Sequence, residues 1–196
     1  MDERALAELI ERAQRGDPAS FERLVDEFAG RVYGFALRTT GSRDDAEDLM
    51  QEVFVRVVRM IGAYQHDGRF KAWLFRIAAN LVRDRLRRIR RAPRVVAGSD
   101  VLEDGGADQA VSTGAGNAPI DDQAPEHGLI RADEVDALNR ALAMLPDAER
   151  EVVMLRHFSQ LPFKEIAAVL GCPLGTALAR AHRGLAHLRE IMAGRE

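Results

Sequence analysis

Apolar side chains recur at helical spacing along most of the chain. Leu6, Leu9, Ile10 and Ala13 fall at i, i+3, i+4 and i+7, the stripe of a helix with one buried face. Gly16-Asp17-Pro18 interrupts that stripe. Phe21, Leu24, Val25 and Phe28 restart it, and Val32, Phe35 and Ala36 carry it past Gly30. Gly41-Ser42 stops the chain again, with Ser42 suited to cap the next helix. Leu49, Val53, Phe54, Val57 and Ile61 mark that helix over residues 44–62. A polar loop from Ala63 to Arg69 leads to a helix carrying Leu74, Ile77, Ala78 and Leu81, extended by Leu86 and Ile89. Nothing alternates at period two, so no sheet is predicted.

Residues 95–129 break the pattern. Gly, Ala, Asp, Ser and Pro dominate, and the few large apolar residues show no period. Such a segment buries too little surface to offset its chain entropy, which predicts a disordered acidic linker. Helical order returns near residue 130. Val135, Leu138, Ala141 and Leu142 form one stripe, ending at Leu145-Pro146. Asp147 is placed to cap the next helix, which runs to His157, and two short patterns then meet at Gly171-Cys172-Pro173. The predicted fold is all-α, with two small helical domains, 1–94 and 130–196, joined by a flexible linker.

Charge sharpens this division. The net charge is only −3, but residues 1–97 hold 19 Arg and Lys against 15 acids, while residues 98–128 hold seven acids and no base. From Arg83 to Arg94 there are seven arginines and one acid, Asp84. That segment suits phosphate contacts whose affinity falls with salt; a membrane surface or RNA would offer the same charge. A lone cysteine, Cys172, excludes an internal disulfide and a Cys-rich zinc site. It is either a small apolar side chain in a turn or a redox-sensitive one. The start Met1-Asp2-Glu3-Arg4 reads as amphipathic helix rather than signal peptide, and no apolar run reaches the ~20 residues of a bilayer span. No membrane insertion is expected, and the cytoplasm is the expected compartment. No nucleophile elbow, phosphate loop or metal-ligand spacing occurs, and the five histidines are scattered. Neither enzyme activity, nor a metal, cofactor or small-molecule substrate, is expected.

Phe163 to Leu185 has the layout of a helix-turn-helix. Ala167 fits a close helix crossing, and Gly171 supplies the turn. Ile166, Leu170, Ala177, Ala181 and Leu185 are the expected shared core. Gly175, Thr176, Ala179, Arg180 and Arg183 are expected outward, where a helix N-terminus with Thr and Arg suits a major groove. A plain helical hairpin would share the spacing.

With these residues in view the family resemblance is plain. Leu142-Ala143-Met144-Leu145-Pro146, Arg150-Glu151-Val152-Val153, Glu165-Ile166-Ala167, Gly175-Thr176 and Arg180-Ala181-His182-Arg183-Gly184 together resemble region 4 of the extracytoplasmic-function (ECF) sigma factors. The resemblance implies a second helix that reads the promoter −35 element through Thr176, Ala179, Arg180 and Arg183. Leu178 and Ala179 stand where a basic residue and a Ser are common, which shifts binding toward Arg180 and Arg183. Asp45-Ala46-Glu47-Asp48-Leu49-Met50-Gln51-Glu52-Val53-Phe54 resembles the family's region 2 helix that docks on the polymerase clamp, implying contacts from Asp48, Gln51 and Glu52.

Phe70-Lys71-Ala72-Trp73-Leu74-Phe75-Arg76-Ile77-Ala78-Ala79-Asn80, with Asp84 and Arg87-Arg88, is similar to the family's −10 recognition segment. By that resemblance Tyr64, Gln65 and His66 offer a pocket for a flipped base, Asn80 lies beside it, and Lys71, Arg83, Arg87 and Arg88 meet the strand. Trp73 at helical spacing is read as core rather than as the melting wedge. Core RNA polymerase, promoter DNA and an anti-sigma protein are the implied partners. Promoter elements two DNA turns apart lie ~70 Å apart along the duplex. A relaxed coil of the linker's length spans about 30–35 Å and an extended one about 110 Å, so the linker must stretch unless it is a passive spacer. The rival is a helix-turn-helix regulator that holds a duplex operator without polymerase.

Overall fold

The computed structural model describes residues 2–91 and 137–194. The expected linker and both expected domain boundaries lie outside the described residues. All regular structure among the described residues is helical.

Helix α1 (Glu3–Gln14) begins at Asp2, whose carboxylate accepts the Ala5 amide at 2.7 Å. Pro18 opens α2 (Pro18–Thr40), where its missing N–H costs nothing. The helix runs through Gly30 and Gly34 without a break and stops at Gly41, which takes a left-handed φ of 75°. Ser42 caps α3 (Arg43–Met60) by accepting the Asp45 amide, as expected. A single 3₁₀ turn (Ile61–Ala63) leads into the loop before α4 (Phe70–Arg91). The buried faces follow the sequence stripes: Ile10, Leu24, Phe28, Phe35, Leu49, Val53, Leu74 and Phe75 are almost fully enclosed.

In the C-terminal half, residues 137–144 form helix α5, followed by α6 (Asp147–Ser159), α7 (Phe163–Leu170) and α8 (Leu174–Ala193). Ala141, Leu142, Leu145, Val152, Leu155 and Ile166 fill its core. Three local expectations fail. Leu138 is exposed, so the α5 stripe is narrower than predicted. Asp147 makes no cap hydrogen bond; its carboxylate pairs with Arg90 of α4 and lies 3.8 Å from Arg150. Leu185 is 51% exposed rather than core, because α8 turns Ala177, Ala181 and Gly184 inward instead. Gly184 allows a close approach there: a Cβ would lie 3.2 Å from Glu149 Cβ and 3.1 Å from a Val153 methyl, tighter than ordinary contact.

The two halves are packed together. One apolar core runs from Leu6 through Val82 into Leu142, Leu155 and Ile166 without a gap. Helix α2 touches α6, and α4 touches both α6 and α7. The Phe158 ring lies against Gly34 so closely that a Cβ on Gly34 would sit 2.3 Å from its Cε1. Arg150 Nη1 donates to the Thr39 carbonyl at 3.1 Å and Nη2 to the Ala143 and Leu145 carbonyls, tying the end of α2 to the α5–α6 turn.

Candidate nucleic-acid interface

Helix α4 carries most of the candidate residues. Asn80, Arg83 and Arg87 fall at i, i+3 and i+7, which sets them on one face. Asn80, Arg87 and Arg88 are exposed, and Arg83 is half-buried. The Asn80 carbonyl accepts from Arg83 Nη1 at 3.3 Å, and Arg87 Nη2 reaches Asp84 at 2.7 Å. Lys71 lies half-buried in the first turn, about 24 Å along the axis from Arg87. The basic residues therefore track a helix length rather than converge on one pocket, as suits a strand laid along it.

The loop before α4 is built on aromatic contacts. Tyr64 lies tilted against Trp73 at 4.8 Å and meets Phe70 edge-on at 5.6 Å and His66 edge-on at 6.0 Å. Trp73 also packs on Phe70, so it is a half-buried member of this cluster. The Tyr64 hydroxyl and His66 Nδ1 are both buried, and burial pushes the Tyr64 phenol up to about 12, with the nearby Asp67 charge adding to it. Gln65 faces solvent. Tyr64, Gln65, Asp67, Arg69, Trp73 and Arg76 line one side of an open groove of ≈ 240 Å³; Glu165, Ala168 and Val169 of α7 line the other. Asn80 does not line this groove and sits one turn beyond Arg76.

Sequence reasoning missed what anchors the loop. Gln14, at the end of α1, donates through Nε2 to the Ile61 carbonyl at 2.9 Å and the Tyr64 carbonyl at 2.6 Å. Gly68, at φ 79°, makes the bend back to α4. A polar residue ending an amphipathic helix is ordinary in sequence, so nothing there signalled the contact.

The outer face of α3 carries exposed Asp48 and Gln51 and half-buried Glu52. Arg85 braces it from α4, reaching Asp45 at 2.9 Å and Asp48 at 3.3 Å, while Glu52 pairs with Arg56 at 2.8 Å. Val55 and Val58, 47% and 53% exposed, continue this face and were also missed. Their signal was available: both fall outside the period of Leu49, Val53, Val57 and Ile61.

Helices α7 and α8 form the helix-turn-helix around Gly171, at φ 65°. Gly175, His182 and Arg183 are exposed, while Thr176, Ala179 and Arg180 are half-buried. Arg183 is only partly available: its Nε donates to buried Glu149 at 3.1 Å, and His187 Nδ1 lies 2.8 Å from the same carboxylate. Cys172 is half-buried in the turn. A second open cleft of ≈ 530 Å³ lies between α6, α7 and α8, walled by Val153, His157, Phe163, Ala181 and Leu185. Arg156 caps the Phe163 ring from 5.5 Å.

A basic helix beside an aromatic loop, packed against a helix-turn-helix, is the arrangement of a nucleic-acid-binding class of protein. The Sigma-70 region 2 profile matches residues 24–92, and that of Sigma-70 region 4 matches residues 136–188. The RNA polymerase sigma-H factor of Pseudomonas aeruginosa is 34% identical over 90% of this chain and 88% of its own. The ECF RNA polymerase sigma factor SigW of Bacillus subtilis is 30% identical over 92% of this chain and 93% of its own. Two solved structures share the fold at a TM-score of 0.65: CnrH in complex with the cytosolic domain of CnrY, and the Bartonella quintana sigma factor RpoE in complex with the anti-sigma factor NepR. They are 24% and 23% identical, and cover 96% and 90% of this chain and 97% and 98% of their own. This chain belongs to the ECF family of RNA polymerase sigma factors. The family acts in transcription initiation and is not enzymatic. Among the described residues no helix is long and apolar enough to cross a membrane.

Proposed function

We propose that this chain brings core RNA polymerase to promoters and helps open them, with the work divided among three surfaces. The outer face of α3, through Asp48, Gln51 and Glu52 with Val55 and Val58 adding apolar area, docks on the polymerase. The face of α4, through Lys71, Asn80, Arg83, Arg87 and Arg88, holds the −10 strand, and the loop of Tyr64, Gln65 and His66 takes a flipped base. Helix α8 enters the −35 major groove with Thr176, Ala179, Arg180 and Arg183. The observation that carries the reading is the single stripe of Asn80, Arg83 and Arg87 beside the aromatic loop. A cytoplasmic location follows from the partners. An anti-sigma protein that occupies one or both domains is a further proposed partner.

Run-off transcription with purified bacterial core polymerase and the region upstream of this chain's own gene tests the division. Specific transcripts that require the chain are expected. Arg87→Ala/Arg88→Ala should abolish opening while polymerase still binds, and Asp48→Ala should weaken polymerase binding itself. A chain that gives no transcript with core polymerase but holds a duplex operator alone would be a regulator instead.

A further inference from the structure

Two features of the packing between the halves are unlike a neutral contact. The first is where it falls. Helix α7 closes one wall of the groove at Tyr64, Trp73 and Arg76, and α6 lies on the arginine-bearing stretch of α4. The second is what it brings. Glu151 of α6, almost buried, accepts from Arg83 Nε at 2.7 Å, and Asp147 of the same helix pairs with Arg90. Two carboxylates thus meet two of the arginines that a phosphate strand would meet. The exposed end of α3, with Asp48 and Gln51, stays uncovered.

We propose that the C-terminal helices are a built-in competitor for −10 DNA: α6 and α7 sit over the strand-holding face of α4, with Glu151 on Arg83 in place of a phosphate. This rests on the −10 reading of α4. The arrangement permits polymerase docking through α3 while the −10 face is shut, and it opens when promoter or polymerase draws the C-terminal half away.

The clasp is a releasable one. Burial pushes the Glu151 carboxyl up more than Arg83, helped by Arg180, brings it down, so enclosing the charge costs more than its partners return. A phosphate, which stays at the surface when it meets Arg83, carries no such cost. Shape supplies the rest of the hold, through Phe158 seated on Gly34.

Gly34 offers a wedge that spares the N-terminal half. Gly34→Leu improves helix propensity within α2, yet its side chain would occupy the space of the Phe158 ring. Phe158→Ala loosens the same contact from the other side. Spin labels on Cys172 and on a cysteine introduced at Asp44 report the distance between the halves in the full chain. The parent should give one narrow distribution, and both variants a broad one, with helical circular dichroism unchanged. A fluorescein-labelled random-sequence single strand should then bind about tenfold tighter to both variants, as expected when a tenth of the parent is open. Arg83→Ala in the Gly34→Leu background should cancel that gain. A broad distribution in the parent would overturn the closed state. Opened variants that bind the strand no better than the parent would overturn the competition. Promoter opening in the holoenzyme unaffected by Arg83→Ala or Arg87→Ala would instead sink the −10 reading beneath it, with closure still visible in the distances.

Discussion

Glu149 lets a stability effect be separated from a DNA effect in the C-terminal half. The residue is 7% exposed, and its carboxylate receives Arg183 Nε and His187 Nδ1. Both partner side chains are open to solvent, at 56% and 44%, so their attraction is screened. We assign about 0.5 kcal/mol to each contact rather than the 1.5–3 kcal/mol of an enclosed charged hydrogen bond. A carboxylate in the first turn of α6 adds ~0.5 kcal/mol against the helix N-terminus. Truncation to Ala also removes one buried methylene, Cγ, worth about 0.8 kcal/mol. Glu149→Ala should therefore cost about 2 kcal/mol, and Glu149→Gln, which keeps the stem and one acceptor, about 1 kcal/mol. Urea unfolding of the full chain followed by circular dichroism measures both. Arg183→Ala should fall near the Gln variant in stability while losing far more affinity for −35 duplex. If Glu149→Ala unfolds within about 0.5 kcal/mol of the parent, the buried carboxylate is not a structural tie and the account is wrong.

Other perturbations probe the loop and the clasp. Gln14→Ala removes two hydrogen bonds to the loop and should cost about 1–2 kcal/mol, with faster amide exchange over residues 64–69; unchanged exchange there would show that Gln14 does not anchor the loop. Tyr64 should ionise near pH 12 in a spectroscopic titration. Because the folded value is raised above the ordinary 10, its stabilising share is complete below pH 10 and lost as pH climbs toward 12; an ordinary titration would refute the enclosed hydroxyl. Glu151 is raised in the closed state, so that state binds more protons than the open one. Closure should therefore strengthen as pH falls from neutrality toward the ordinary carboxylate range, with Arg83 and Arg180 charged throughout, and a distance distribution that broadens on acidification would contradict this.

Much of the fold was legible because helical period and turn chemistry point the same way. Gly41, Ser42 and Gly171 mark their boundaries in sequence, and the stripes of α1 to α4 are those the structure buries except at the end of α4, where Leu86 is half-buried and Ile89 is exposed. The errors share a cause. Leu185 looked like core because large apolar residues usually are, yet the α6–α8 approach is set by a glycine, Gly184, which no hydrophobic count favours. Asp147 looked like a cap because its partner, Arg90, is distant in sequence. The candidate DNA residues were found by resemblance, but their neighbours were not. Glu151, Phe158 and Gly34 read as ordinary helix positions until the two halves are placed together.

The continuous core also sets how the chain comes apart. Sequence divides it into two domains, but Leu142, Leu155 and Ile166 belong to the same apolar cluster as Leu24, Phe35 and Leu74. Cooperativity follows buried contact, so in the closed state heat should melt both halves in one calorimetric transition. A wedge at Gly34 should split that peak in two. The domain boundary then becomes a thermodynamic variable, and a protein engineer who swaps the C-terminal half for a relative's changes the melting of the N-terminal half as well.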